Sequence, residues 1–242
     1  MGRAKTIARR TFLVGSVAIA GGVAFGVYQA RKTPANPLKP GPGAATLNPF
    51  VLINQDGVTI IAPRAEMGQG VQTTLAALVA EELDVAWQDI TVLHGPPAQA
   101  YYNGALISAA LPYPDYDLTG FQRGVADNLA VMGKILGLQV TGGSTSMRDG
   151  FEKQRRAGAS AREALKQAAA DRLGINPGDL RTENGRVIAP DGTALTYHEL
   201  AEDAALLDAP EVELRPASTW KYVGKSMPRL DMVGKVTGTA QF

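Results

Sequence analysis

Apolar positions beyond residue 49 fall into short strand-like runs and longer helical ones. Residues 50–53 and 58–61 flank Asn54-Gln55-Asp56-Gly57, a hairpin pattern with Asp-Gly at its turn, and Pro63 ends the second strand. Val71, Leu75, Leu78, Val79 and Leu83 recur at helical spacing, which predicts a helix over 71–83. Residues 90–93 read as a strand closed by Gly95-Pro96-Pro97, and 101–120 as an irregular stretch rich in Tyr, Pro and Gly. A helix is predicted over 121–136, and the Ala, Arg, Glu and Lys content of 151–173 predicts a long surface helix. Residues 180–188 form a second hairpin with Asn184-Gly185 at its tip, and Thr196 with Glu199 makes a capping box ahead of Leu200. Strands and helices alternate but are mixed with hairpins. The pattern therefore favours an α+β fold, a layered mixed sheet with packed helices, over a purely parallel βαβ sheet.

The first 48 residues follow other rules. Arg9-Arg10-Thr11-Phe12-Leu13 opens an apolar, Gly-rich run to about Ala30, close to the ~20 residues needed to span a bilayer. A basic start before an apolar stretch is an export layout, and paired arginines before x-Phe-Leu fit the twin-arginine pattern. That places the folded domain on the periplasmic side of a bacterial inner membrane. No small-x-small site stands out near Gln29 and Arg31-Lys32, so cleavage and retention as an anchor helix both fit. Residues 1–32 thus read as signal or anchor, 33–48 as a Pro/Gly-rich tether, 49–215 as the main domain and 216–242 as the start of a further one.

Composition narrows the chemistry. None of the 242 residues is Cys, which excludes disulfides, thiolate metal sites and thiolate-held iron–sulfur clusters on this chain. The formal net charge is +1, but seven Lys/Arg and no acid precede Asp56. Of the 24 bases, 17 remain against 23 acids in the folded part, a balance that offers no basic face to nucleic acid.

Two loops could carry chemistry. Glu66-Met67-Gly68-Gln69-Gly70 lies between a strand and a helix start, where free N–H groups and the helix dipole suit a phosphate or pyrophosphate. It lacks the third glycine of a Rossmann fingerprint and is not a Walker loop. Thr141-Gly142-Gly143-Ser144-Thr145-Ser146 supplies hydroxyl donors and little bulk, a composition matched to oxyanions. A plain connector fits either loop taken alone. Read together as a site, both turns must face one cavity. His94 and His198 stand alone and read as surface residues, so no metal ligand set is expected. Glu81 and Glu82 read as the solvated side of their helix, and Arg155, Arg156 and Arg162 as a solvated face.

Glu66-Met67-Gly68-Gln69-Gly70-Val71-Gln72-Thr73 resembles the corresponding segment of the molybdenum hydroxylases related to xanthine dehydrogenase and aldehyde oxidase, in the isoquinoline 1-oxidoreductase beta-subunit branch. Residues 100–105, 138–146 and 155–159 fit the same branch, as do Val223-Gly224-Lys225, Pro228-Arg229-Leu230-Asp231 and Lys235-Val236-Thr237-Gly238. The resemblance implies a molybdopterin cofactor, commonly the cytosine dinucleotide form. It implies hydroxylation of aldehydes or N-heterocycles, with electrons leaving through iron–sulfur clusters on a separate small subunit. Further partners it implies are a separate carboxy-terminal large-subunit fragment and a membrane cytochrome. On this likeness Met67, Gly68, Gln69 and Gly70 contact the cofactor, and Gly143, Ser144, Thr145 and Ser146 its pyrophosphate or nucleotide end.

The branch continues past the hammerhead-type segment that begins near residue 216, and its glutamate base lies in that later part. No catalytic residue is therefore assigned here, and the expectation is a cofactor-contacting part with no turnover alone. The competing expectations are a non-catalytic, membrane-tethered binding or assembly module and, more remotely, a periplasmic nucleotide binder.

Overall fold

The computed structural model describes residues 21–22, 24–29, 31–113, 117–208 and 212–240. Most of the leader expectation therefore falls outside the described residues. Among the described residues no helix is long and apolar enough to cross a membrane.

Two sheets and a helical layer form the fold. Strands β1 (Ala45–Asn48), β2 (Val51–Asn54), β3 (Gly57–Ile61) and β4 (Ile90–Leu93) make one sheet in that order. The first two pairings are antiparallel, whereas β3 and β4 are parallel because helix α1 (Val71–Leu83) crosses between them. The sheet is mixed, as the pattern implied. Strands β5 (Arg181–Glu183), β6 (Arg186–Ile188) and β7 (Ala194–Thr196) form an antiparallel second sheet. Its tip, Asn184-Gly185, has positive φ at both residues, the backbone a two-residue hairpin turn needs.

Further along the chain lie helices α2 (Ala105–Ser108), α3 (Gly120–Ile135), α4 (Thr145–Leu173), α5 (Tyr197–Ala205) and α6 (Met232–Thr237). Thr196 and Glu199 close the predicted capping box on α5, and Thr119 with Gln122 closes another on α3. Val51 and Ile53 of β2 pair with Ile60 and Val58 of β3, placing all four side chains on one face. That face joins Ala76, Val79 and Leu83 of α1, Ala161 and Leu165 of α4, and Leu200 of α5 in one core.

Three expectations need correction. Residues 45–48, assigned to the tether on composition, form an edge strand. Thr46 pairs with Leu52, and the Asn48 amide donates to the Ala157 carbonyl of α4 at 2.9 Å. The second correction is that α4 is not a surface helix. Ala157, Gly158, Ala159, Ala161, Ala164, Ala168 and Ala169 are buried, and Gly150 and Gly158, set against Leu75 and Val79, form a small-residue seam that lets α1 approach closely.

The third concerns charge. Glu81 and Glu82 are completely buried, and Arg155 and Arg162 are buried as well. Residues 215–223 fold back over α1, and the two glutamates hold them there. Glu81 accepts backbone N–H groups of Lys221, Tyr222 and Val223 at 2.6–3.1 Å. Glu82 accepts the Arg155 guanidinium at 2.6 Å and the Arg215 N–H at 3.0 Å. Arg162 donates to the Glu82 carbonyl at 2.5 Å. Buried charges survive only when paired in this way.

The seam makes a sharp test. A Cβ on Gly158 would lie 2.5 Å from the Val79 carbonyl oxygen and 3.2 Å from the Leu83 nitrogen, both backbone atoms that cannot swing aside. Gly158→Ala is expected to destabilise the protein by about 1–3 kcal/mol. Gly124→Ala, on α3 with nothing within 4 Å, should instead gain roughly 0.5–1 kcal/mol from helix propensity. Denaturant midpoints of the two variants check both signs.

Candidate functional site

Helices α1 and α4 run in the same direction. Gly150 faces Leu75, Gly158 faces Val79, and Arg162 reaches Glu82, so positions advance together along both helices. Their amino-terminal loops, 66–70 and 141–144, therefore open at the same end of the molecule. The loops are bonded to each other, since the Ala65 N–H donates to Thr141 Oγ1 at 2.8 Å.

Beneath them lies a polar brace. Buried Arg64, at the exit of β3, donates to the carbonyls of Pro63 and Tyr101 and to Asp149 Oδ2, the last at 2.7 Å. Asp149 also accepts from Lys153 and from the Gly104 N–H. Lys153 sits 3.5 Å from the centre of the Tyr102 ring. Fully buried Asn103 donates to Thr145 Oγ1 at 2.7 Å and to the Val140 carbonyl at 2.9 Å. The 100–105 segment thus positions the second loop.

The two turns use their backbone amides differently. In the first, Glu66 reaches back to its own loop. One carboxylate oxygen accepts the N–H groups of Gly68 and Gly70 at 2.8 and 2.9 Å, and the other accepts that of Gln72 at 3.1 Å. The Gln69 side chain closes the rest, accepting from the Met67 N–H and donating to the Ala65 carbonyl. Three of the N–H groups expected to be free here, those of Gly68, Gly70 and Gln72, are already taken by an internal anion. Gly68 and Gly70, both at positive φ, make the tight path possible, and the Met67 side chain is 70% exposed.

The second turn is open. Gly143 and Ser144 both adopt left-handed backbone, with φ of 59° and 55°, and Ser144 makes no side-chain cap bond. Thr145 is inside the first helical turn and fully buried, with its N–H and hydroxyl on the Gly142 carbonyl. Among the described residues, the N–H groups of Gly143, Ser144 and Ser146 have no acceptor within the protein. This turn keeps the donors and the positive dipole end that an oxyanion needs.

Arg229 completes the first loop and has no counterpart in the pattern-based reading. Its guanidinium donates to the Gly68 carbonyl at 2.8 Å, to Glu66 at 3.2 Å and to Asp231 at 2.7 Å. The neighbouring Leu230 N–H donates to Thr73 Oγ1. Only the Pro-Arg-Leu-Asp resemblance marked this stretch. A cleft of about 360 Å³ lies between Gly70 and Thr74 of the first turn, Met147 and Phe151 of α4, and Met227 and Arg229. That volume is within the range of small-molecule sites. A larger hollow, about 550 Å³, lies at the far end of β3 between the two hairpin turns and touches neither loop.

The remaining candidates do not assemble. His94 and His198 are exposed, and among the described residues no three His, Cys, Asp or Glu side chains group as a metal site. Glu81 and Glu82 are spent on residues 215–223.

Electrostatics makes the loop pH-dependent. Burial disfavours the charge on Glu66, but the N–H groups of Gly70, Gln72 and Gly68 more than offset it and hold its pKa below the ordinary carboxylate value. The Arg229 guanidinium, with Lys235 behind it, holds Asp231 far below that value. Burial opposes the charge on Asp84, and hydrogen bonds from Lys221 and Arg215 outweigh it. All three pKa values are depressed in the folded state, so their stabilisation is present at neutral pH. It is lost as pH falls from about 5 toward the native values. Thermal midpoints measured from pH 7 to 3 are expected to decline in that window. Glu66→Gln should flatten the decline while lowering the midpoint at pH 7, because its amide cannot accept all three N–H bonds as a carboxylate does.

Comparison with known proteins adds the lineage. A molybdopterin cofactor-binding domain family matches residues 4–109. A nicotinate dehydrogenase subunit of Pseudomonas putida is 31% identical over 78% of this chain and 13% of its own length. The beta subunit of isoquinoline 1-oxidoreductase from Brevundimonas diminuta is 28% identical, covering 97% of this chain and 31% of its own. A membrane-bound aldehyde dehydrogenase (pyrroloquinoline-quinone) of Gluconacetobacter polyoxogenes is 30% identical, over 97% and 27% respectively. The chain spans less than a third of the length of each of these relatives.

Proposed function

From the premise that this chain belongs to the molybdopterin-binding large subunits of the molybdenum hydroxylase family, we propose that it contributes the cofactor-contacting wall of an oxidoreductase acting on aldehydes or N-heterocycles. The observation that carries the reading is the open turn at 143–146, beside a sealed turn at the same end of two parallel helices. Outward N–H groups, a glycine without a side chain and a non-glycine residue held at positive φ suit a pyrophosphate. A molybdopterin dinucleotide, in the cytosine form, supplies the redox chemistry when bound. The chain's own residues bind and orient it. Gly143, Ser144 and Ser146 take the phosphate end, while Met67 and the backbone of Gly68 and Gly70 form a fixed surface toward the pterin. Thr145 works from inside, locking the turn through Asn103.

Proton chemistry is not assigned to these residues. Glu66, Glu81, Glu82 and Asp149 each hold several donors, which leaves none of them suited to act as a base. Any iron–sulfur clusters that served it would sit on a small subunit, since the residues here include no Cys to ligate them through thiolates. The twin-arginine head fits export after folding, which a cofactor enclosed by protein requires. Lysines in place of Arg9 and Arg10 are expected to leave the protein in the cytoplasm, as fractionation would reveal.

Ser144→Asp separates binding from folding. Aspartate is at home both at a helix N-cap and at positive φ, so the thermal midpoint should hold or rise. Its charge faces the bound oxyanion and should cut molybdenum and cytidine nucleotide content at least about tenfold, roughly 1.4 kcal/mol of repulsion. Ser144→Asn should keep both. Metal and nucleotide analysis of the chain, purified with its small subunit, provides the measurement. Equal cofactor content in wild type and Ser144→Asp would refute the assignment. A wild type that binds none would favour a tethered module without cofactor.

A further inference from the structure

We propose that a single water molecule is an integral part of the brace beneath the two loops, held between Arg64 Nε and Gln154 Oε1. Among the described residues these are the two buried side-chain polar atoms without a partner in the protein. Arg64 is 3% exposed and Gln154 is 2% exposed. Both line the same small cavity, about 10 Å³, together with Ser146, Asp149 and Lys153. That is close to the space one water requires.

Chemistry selects the occupant. The Arg64 Nη atoms are committed to Pro63, Tyr101, Tyr102 and Asp149, which leaves only Nε–H to donate. The Gln154 amide donates to the Ile61 carbonyl at 3.3 Å, which fixes the orientation of the amide and turns Oε1 away from that acceptor. One free donor and one free acceptor therefore remain. Water serves both, its oxygen accepting from Nε–H and one of its own O–H bonds donating to Oε1. A cation would meet Arg64 and Lys153, and an anion would meet the amide oxygen and Asp149. Neither fits.

The place gives the molecule its role. Arg64 leads directly into Ala65, whose N–H bonds to Thr141 of the second loop, while Gln154 and Ser146 belong to the helix which that loop begins. The water ties the exit of β3 to α4 directly under the contact between the loops, and so helps fix their separation. The water keeps this place whichever ligand the loops hold.

The test is a high-resolution crystal structure of the unaltered chain. A well-ordered solvent peak is expected within about 2.7–3.2 Å of both atoms. In Gln154→Leu, which removes the acceptor at similar size, the peak should be lost. A nuclear Overhauser contact from the Arg64 Nε–H to long-lived water provides the same reading in solution. Direct closure of Arg64 Nε on Gln154 Oε1, or a peak unchanged in Gln154→Leu, overturns the proposal.

Discussion

Carboxylates that accept backbone N–H groups hold this molecule together. Glu81 gathers three consecutive N–H groups of residues 221–223, Glu82 takes the Arg215 N–H together with two arginines, and Glu66 takes three N–H groups of its own loop. Each bond of this kind joins an ionised acceptor to a peptide donor, stronger than a neutral pair and costly to leave half made. Remove the carboxylates, and residues 215–223 lose their charged anchors on α1. Without that stretch Arg229 leaves Glu66, and the first loop loses its outer support.

The small-residue seam between α1 and α4 is the other half of the same constraint. Gly150 and Gly158 bring the helices close enough for Glu82 to reach both Arg155 and Arg162. Close packing thereby removes water from the charges, and the charges in turn dictate which face of α4 turns inward. The Arg155 guanidinium also lies about 5 Å from the Phe151 and Trp220 rings, so the same ion pair anchors aromatic packing at the edge of the cleft. Charge and packing cannot be assigned to separate layers here.

Much of the secondary structure was legible because it depends on neighbours in sequence. The 71–83 helix, the Asn184-Gly185 hairpin turn and the Thr196 capping box each rest on contacts within a few residues. The first hairpin was also legible, but its turn falls on Gln55-Asp56, one residue before the expected Asp-Gly, because Gly57 pairs with Asn54. Burial was not legible, because it depends on partners far along the chain. Glu81 and Glu82 look solvated until residues 215–223, some 140 positions later, cover them. One local cue did exist. Leu75-Ala76-Ala77-Leu78-Val79-Ala80 is apolar on every side of the helix, and a helix without a polar face is a buried one. The run of small residues from Ala157 to Ala169 carried a similar cue, hidden by its interspersed arginines.

The two glycine turns show why a shared composition does not imply a shared use. Both enter helices, both have residues at positive φ, and neither helix is capped by its own N-cap side chain. The difference is one residue. Glu66 stands four positions before the N-cap of α1, near enough for its carboxylate to swing back into the ring of N–H groups. The matching position before Ser144 is Val140, which has no such group and whose carbonyl faces Asn103. An internal anion braces the first turn, and without one the second keeps its N–H groups turned outward. Electrostatics then divides the labour, because negative charge is already neutralised at one helix start and still welcome at the other.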